Sequence, residues 1–335
     1  MFRRESNPYP GDHRATRFHA LGRLLAWVGR YLTHSPLGMF ARLRLRAQLE
    51  RRAVRVELKG RSGSLPRIAF LSDLHAGFFN TSGDLESIAR MAADSNPDLV
   101  ILGGDLIDSH GEEIFLLGAA LKRLNPPLGI FAVRGNHEYF HPEKLELWTR
   151  FLEHNGVEVL VNRGVRVQHC DTSLWIAGID DLREGTPDFE AALEGRRPGE
   201  LTLLISHNPD AFPEAVRHKV DLQLSGHTHG GQVRFGPWIP MTHTSHGYLD
   251  GLYECGGCQL YVGRGGGTTL LPIRIGVRPE VGLIELCGVQ ESESVTPDLS
   301  MESPGSRVRH VRAPLPTGGD AADRDHSPTE RSHRS

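Results

Sequence analysis

The sequence has no run of about 18 apolar residues, so it offers no stretch able to cross a membrane as a helix. It has only four cysteines in 335 residues, Cys170, Cys255, Cys258 and Cys287, too few to staple a chain of this length with a disulfide framework. The one Cys-x-x-Cys pair, Cys255 and Cys258, has no second pair to complete a zinc site. It reads as a hairpin turn with two ordinary thiols, a redox pair being the other use of that spacing. The start contains a twin arginine, Arg3-Arg4, but no clean apolar segment or small-residue cleavage site follows, and no cleaved signal peptide is expected. There is no internal repeat. Residues 289–335 have almost no large apolar side chains and many Ser, Pro, Asp, Glu and Arg, a composition that predicts a disordered tail.

What is present is unevenly distributed. Residues 1–60 hold 13 Lys+Arg against 4 Asp+Glu, a balance of +9, so the remainder carries −12 of the net −3. A basic arm on an acidic body predicts an anionic partner for the arm. After a polar start over 1–18, the segment 19–52 places Leu21, Leu24, Leu25, Val28 and Leu32 at helical spacing, with Trp27 and Tyr31 at the edge of the stripe. Arginines flank both apolar stretches of this arm. Basic amphipathic helices of this kind lie on anionic membrane surfaces. Packing on the chain's own domain or on a second subunit is the plainer use of the same stripe. The basic residues sit beside apolar ones rather than in a bare charged run, which favours lipid over nucleic acid, and no nucleic acid partner is expected.

From residue 53 the texture changes. Short apolar runs, among them "AVRVEL", "RIAFLSDLH", "DLVILGGD", "LGIFAVRGNHE" and "LTLLISHNPD", alternate with helical patterns over 84–95, 112–124 and 142–156. Later strands are expected around 232–235, 258–263 and 281–287. Strands alternating with helices predict α/β layers, and continuous apolar strands predict sheets covered on both faces. A single large domain over 53–288 follows.

Polar residues of an unusual kind recur where these strands end: Asp73 and His75, Asp105, Asn136 and His137, His207, and His227 and His229. The carboxyl edge of an α/β sheet is where ligands bind. A lone Asp there is an ordinary turn or cap residue. Five strands delivering imidazole, carboxylate and amide to one edge are not explained by capping, and no packing rule asks for His-x-His. Those donors suit manganese, iron or zinc, and seven of them exceed what one tetrahedral ion needs. They match two divalent metals about 3.5–4 Å apart sharing a carboxylate.

In order, "DLH", "GGD", "GNHE", "SHNPD" and "GHTH" resemble the motif series of the calcineurin-like metallophosphoesterases, over roughly residues 66–287. The resemblance implies a sandwich of two mixed β-sheets flanked by helices. It implies that Asp73, His75 and His229 hold one metal, that Asn136, His207 and His227 hold the second, and that Asp105 bridges them. It implies that His137 stands beside the metals as the catalytic acid, and that a hydroxide held between the metals attacks phosphorus. The ending "GLYECGGCQLYVGRGGGTTLLPIRIGVRPEVGLIEL" is similar to a bacterial branch whose members often carry an N-terminal membrane anchor. Some relatives near that branch cleave the pyrophosphate of UDP-2,3-diacylglucosamine in lipid A synthesis. The expected function is therefore hydrolysis of a lipid-linked or nucleotide phosphodiester or pyrophosphate, at the cytoplasmic face of the inner membrane or in the cytoplasm. A soluble nucleotide phosphodiesterase that uses the arm to oligomerise, and a binding scaffold that keeps its metals, are the alternatives. Asp108, Glu138, Asp180 and Asp181 are placed either to orient the metal ligands or to serve as turn residues. Arg134 and Arg264 meet either phosphate or a carboxylate. His243 and His246, near the apolar "PWIPM", are read as part of a plain loop.

Overall fold

The computed structural model describes residues 48–77, 79–269, 272–289 and 311–312. In chain order the strands are β1 (Glu50–Lys59), β2 (Arg67–Leu71), β3 (Leu99–Leu102), β4 (Ile130–Ala132), β5 (Val157–Val159), β6 (Arg163–His169) and β7 (Thr172–Gly178). They continue as β8 (Leu201–Ile205), β9 (Leu222–Ser225), β10 (Gly251–Cys255), β11 (Cys258–Val262), β12 (Glu280–Val289) and β13 (Val311–Arg312). The helices are α1 (Ser82–Ala93), α2 (Gly118–Leu121), α3 (Leu145–His154), α4 (Phe189–Leu193) and α5 (Phe212–Arg217).

Among the described residues the strands form two mixed sheets, ordered β1-β12-β2-β3-β4-β5 and β13-β10-β11-β9-β8-β7-β6. In the first, β2 to β5 are parallel and β12 runs against them, with β1 parallel to β12. In the second, β7, β8, β9 and β11 are parallel, β6 runs antiparallel to β7 and β10 antiparallel to β11, and β13 runs parallel to β10.

The continuous apolar strands are explained by what covers each face. Ile68, Phe70, Leu99 and Ile101 point inward and pack against Leu174, Ile176, Leu203 and Ile205 of the other sheet. Their neighbours Ala69, Leu71, Val100 and Leu102 point outward, beneath Leu85 and Ile88 of α1 and Trp148 and Leu152 of α3. On the far side, Trp175, Ala177 and Leu204 lie beneath α4 and α5. The side-chain period of two makes every residue of such a strand a core residue. Three buried layers fix the sheets rigidly, and with them the loops at the strand ends.

Four expectations are corrected. The strand β1 begins at Glu50, so Glu50, Arg51 and Arg52 belong to the domain rather than to the arm, because β1 pairs with β12 along its whole length, from Glu50 opposite Glu280 to Lys59 opposite Val289. The helix expected over 112–124 is a 3-10 helix, Gly111–Leu117, followed by the short α2. Glu113 tightens its start by accepting the backbone N–H groups of Asp108, Ser109 and His110. No strand forms at 232–235. The segment makes only isolated bridges, Val233 with Ile275 and Phe235 with Trp238, since Gly236 and Pro237 break it. Val289 ends β12, and Val311–Arg312 pairs with Tyr253 and Glu254 at the open edge of β10, so these positions are not part of a disordered tail. The remainder of that tail, and the arm up to residue 47, lie outside the described residues. The hairpin expected at Cys255 is present, with Cys255 and Cys258 opposite each other in register and both thiols free. Among the described residues no helix is long and apolar enough to cross a membrane.

Candidate metal centre

Parallel strands of both sheets end at one edge. Asp73 follows β2, Asp105 follows β3, Asn136 follows β4, His207 follows β8, and His227 and His229 follow β9. Their ligand atoms cluster. Asp73, His75 and His229 each place one donor within 4.8 Å of the others, as do Asp105, His207 and His227. His75 Nε2 lies 3.0 Å from His229 Nε2, and His229 Nε2 lies 3.5 Å from Asp73 Oδ1. His207 Nε2 lies 3.1 Å from Asp105 Oδ2 and 3.2 Å from His227 Nδ1. Asp105 Oδ2 is also 3.8 Å from His75 Nε2, which puts this carboxylate between the two groups.

The backbone is bent to achieve this. Asp73, His75, Asp105, His227 and His229 all have positive φ, between 43° and 71°. Such conformations cost a non-glycine residue of order 1–3 kcal/mol each and persist where the surroundings enforce them, which is characteristic of functional sites. The glycines of the motifs make room. A Cβ on Gly135 would lie 2.3 Å from Asp105 Oδ1, and one on Gly226 would lie 2.3 Å from Asp73 Oδ2. The glycine before Asn136 and the glycine before His227 are therefore needed for close approach.

Charge and hydrogen bonding fit a cation between these donors. Burial holds His75, His227 and His229 well below the usual imidazole range, so they are neutral and have an electron pair to give. Burial works against charge on His207 as well, but Asp105, together with Asp73 and Asp181, overcomes it and pushes that imidazole up to about 10. Burial pushes the Asp73 carboxyl up to about 6, although His207 opposes the shift. His207 Nδ1 donates to the Gly103 carbonyl at 2.8 Å, which orients Nε2 toward Asp105. Asn136 Oδ1 is buried with no hydrogen-bond partner, and buried polar atoms are rarely left so. A divalent metal would give that oxygen a partner.

His137 stands at the mouth. Its Nδ1 is bonded to the Asp108 carbonyl, its backbone N–H donates to Asp105 Oδ1 at 2.9 Å, and its Nε2 lies 3.9 Å from Asp105 Oδ2. Burial disfavours its charge, yet Asp105 and Asp108 raise its pKa above the ordinary value.

Of the residues left open by the sequence, Glu138 is tied to the centre most directly. Both its oxygens accept backbone N–H groups, from Asp105 at 3.0 Å, Leu106 at 2.8 Å and Gly135 at 2.6 Å. Burial, then the charge of Asp105, pushes its carboxyl up to about 7. Asp108 Oδ1 lies 3.6 Å from His75 Nδ1. Asp181 Oδ1 holds the turn N–H groups of Arg183 and Glu184, and Asp180 accepts from the Tyr139 hydroxyl. Arg264 is turned away into ion pairs with Glu280 at 2.5 Å and Glu50 at 2.6 Å, and Arg134 is bonded to Tyr139 and Thr149. His246 pairs with Asp210, whereas the His243 ring lies 6.0 Å from that of His227. One residue had no signal in the sequence. Arg274 is buried behind the centre and donates to the carbonyls of Gly265, Gly267 and His229.

The sequence profile described as calcineurin-like phosphoesterase matches residues 66–231, which span every donor named above. The chain is similar to the "Uncharacterized metallophosphoesterase YkuE" of Bacillus subtilis (strain 168), at 33% identity over 228 residues, covering 66% of this chain and 78% of that one. It is 34% identical over 223 residues to "Uncharacterized protein YpbG" of the same organism, covering 66% and 81%. It is also similar to the "Transmembrane protein with metallophosphoesterase domain" of Danio rerio, at 33% identity over 233 residues, and spans only 53% of that protein's length. Two mixed sheets, one donor-lined edge and these relatives agree: the chain belongs to the calcineurin-like phosphoesterases and is a metal-dependent phosphoester hydrolase.

Proposed function

We propose that the centre takes two divalent metals and hydrolyses a phosphodiester or pyrophosphate whose leaving group is lipid-linked or a nucleotide. The observation that carries this reading is the convergence of six donors, Asp73, His75, Asp105, His207, His227 and His229, from two sheets on one edge, with Asp105 close to both groups. Asp73, His75 and His229 would hold one metal. Asn136, His207 and His227 would hold the other, and Asp105 would serve both. Bound there, the metals supply positive charge at phosphorus and lower the pKa of water. Manganese, iron and zinc all suit imidazole, carboxylate and amide oxygen.

The chain's own part is orientation and proton supply. Glu138 fixes the Asp105 loop through backbone N–H groups, and the Gly103 carbonyl fixes the His207 ring. As water adds at phosphorus and the bond to the leaving oxygen breaks, His137 Nε2–H donates to that oxygen. The Asp108 carbonyl on Nδ1 leaves Nε2 as the nitrogen free to face substrate, and Asp105 and Asp108 favour the protonated ring against the cost of burial. The basic segment 19–47 would bring the domain to an anionic membrane surface, on the cytoplasmic side.

The test is hydrolysis by the purified chain with added manganese, using UDP-2,3-diacylglucosamine and bis-p-nitrophenyl phosphate in parallel. Metal-dependent cleavage of either supports the chemistry, and faster cleavage of the lipid nucleotide supports the lipid-linked substrate. No turnover of any phosphate ester by fully metal-loaded protein overturns it.

A further inference from the structure

Large apolar side chains that are exposed are concentrated beside the metal centre. Among the described residues eight are strongly exposed, and five of them, Phe235, Trp238, Met241, Ile273 and Ile275, sit on two adjoining loops. These loops rise directly from the ligand turn. Gln232, three residues after His229, accepts from Ile275 N, and Arg234 N donates to Ile275 O at 2.7 Å. The Phe235 and Trp238 rings are 5.6 Å apart, and Trp238 is 61% exposed. A sixth, Phe140, packs on His137, with the ring centroids 4.5 Å apart. Single exposed apolar residues need no explanation, but a clustered patch marks an interaction surface.

The topology brings the attachment point of the basic arm to the same edge. Strand β1 runs against β2 to β5, so its first residue lies at their carboxyl ends, with the donors. Glu50 is paired there with Arg264 and with Arg278, and Glu280 N, opposite it in register, donates to the carbonyl of Gly265, which abuts Asp73. The 49 residues before Glu50 contain nine arginines and two acidic residues, with Trp27 and Tyr31 among the apolar positions. A patch rich in Trp, Phe, Ile and Met, next to the attachment point of a cationic amphipathic segment, has the chemistry of an interfacial anchor.

We infer that this edge docks on an anionic lipid bilayer, with Phe235, Trp238, Met241, Ile273 and Ile275 entering the headgroup boundary and the arm's arginines meeting the headgroups, so that the metal centre faces the lipid surface. The inference deepens the function proposed above, since it says from which side a lipid-linked phosphoester enters, but docking itself requires no turnover. It is therefore tested without substrate. The full chain, wild type and the triple variant Phe235→Ser, Trp238→Ser, Ile275→Ser, is sedimented with phosphatidylcholine vesicles with and without phosphatidylglycerol, in chelator. The wild type should bind only the anionic vesicles, and the variant should bind them at least about tenfold more weakly, as expected for losing three partly buried apolar anchors. The variant's melting temperature and its rate on soluble bis-p-nitrophenyl phosphate should match the wild type, which separates lost docking from lost folding. Equal vesicle binding by both proteins would assign docking to the arm alone and overturn the role of the loops. No binding by the wild type would overturn the inference, as would a wild-type dimer that the variant turns into a monomer, which would give the patch to a second copy.

Discussion

The two ends of the same strands handle carboxylates in opposite ways. At the amino ends acidic groups are engaged by arginines and backbone N–H groups. Asp98, just before β3, accepts from Arg67 N at 2.7 Å. Asp221, before β9, is held by both oxygens by Arg61 at 2.7 and 2.9 Å and also accepts from Thr202 N. Glu200, before β8, takes Arg166 at 2.6 Å, Ser173 at 2.6 Å and Arg197 N at 3.0 Å. At the carboxyl ends the groups are buried among one another instead, on a backbone held at positive φ, with Asn136 Oδ1 left unpartnered. One end of the sandwich uses charge for stability. The other accepts strained backbone to gather imidazoles and carboxylates in one place, on loops anchored by the three-layer core.

The sharpest way to break the comparison is to exchange single carboxylates for amides at the two ends. Asp105→Asn should reduce metal content and bring hydrolysis down to background, because the group shared between both clusters loses its charge. Metal analysis beside initial rates checks this, and an active, metal-loaded Asp105→Asn would show that the cluster is structural. Next in size is His137→Ala. It should keep its metals and lose about 10²–10⁴-fold in kcat, the usual worth of a general acid. Loss of metal together with rate would instead make His137 a ligand.

The clustering of these side chains at one edge was legible because their residue types have no structural reason to stand at strand ends. Five separate runs ending in Asp, Asn or His are hard to explain by capping, and the layered fold followed from continuous apolar strands. What was not legible depends on contacts between distant positions. Arg264 was left open between phosphate and carboxylate, and two carboxylates decide it, Glu280 and Glu50, the second 214 positions away. Arg274 lies in the apolar segment "LLPIRIG", where nothing local shows that three carbonyls meet its guanidinium. The 3-10 helix at 111–117 has an apolar pattern that also suits an α-helix, and its tightening depends on where the Glu113 side chain turns.

Glu138 sharpens the comparison, since it is a carboxylate at the functional end that is nonetheless fully bonded. Both of its oxygens accept N–H groups, so an amide would set an NH₂ against a backbone donor. Glu138→Gln should therefore shift the Asp105 and Asn136 turns and weaken metal binding about 10–100-fold, as for other residues that orient ligands. Metal titration reads this directly, and unchanged affinity would separate Glu138 from the centre.

The smallest effect is expected at the opposite end. Arg166, the Arg197 N–H and Ser173 outweigh the cost of burying Glu200 and hold its carboxyl down at about 2, against an ordinary 4.5. A carboxylate whose pKa is lowered by folding adds stability that is complete above the unfolded value and disappears as the pH falls through the folded one. Glu200→Gln should therefore lower stability at pH 7 by about 1–3 kcal/mol, the range for a hydrogen bond to a charged group. The gap in melting temperature between wild type and variant should shrink as the pH falls from about 4.5 toward 2, while metal content and kcat at neutral pH stay unchanged. If the variant instead lost metal or rate, the two ends would be coupled through β8, which lies between Glu200 and His207, and the division of labour between them would not hold.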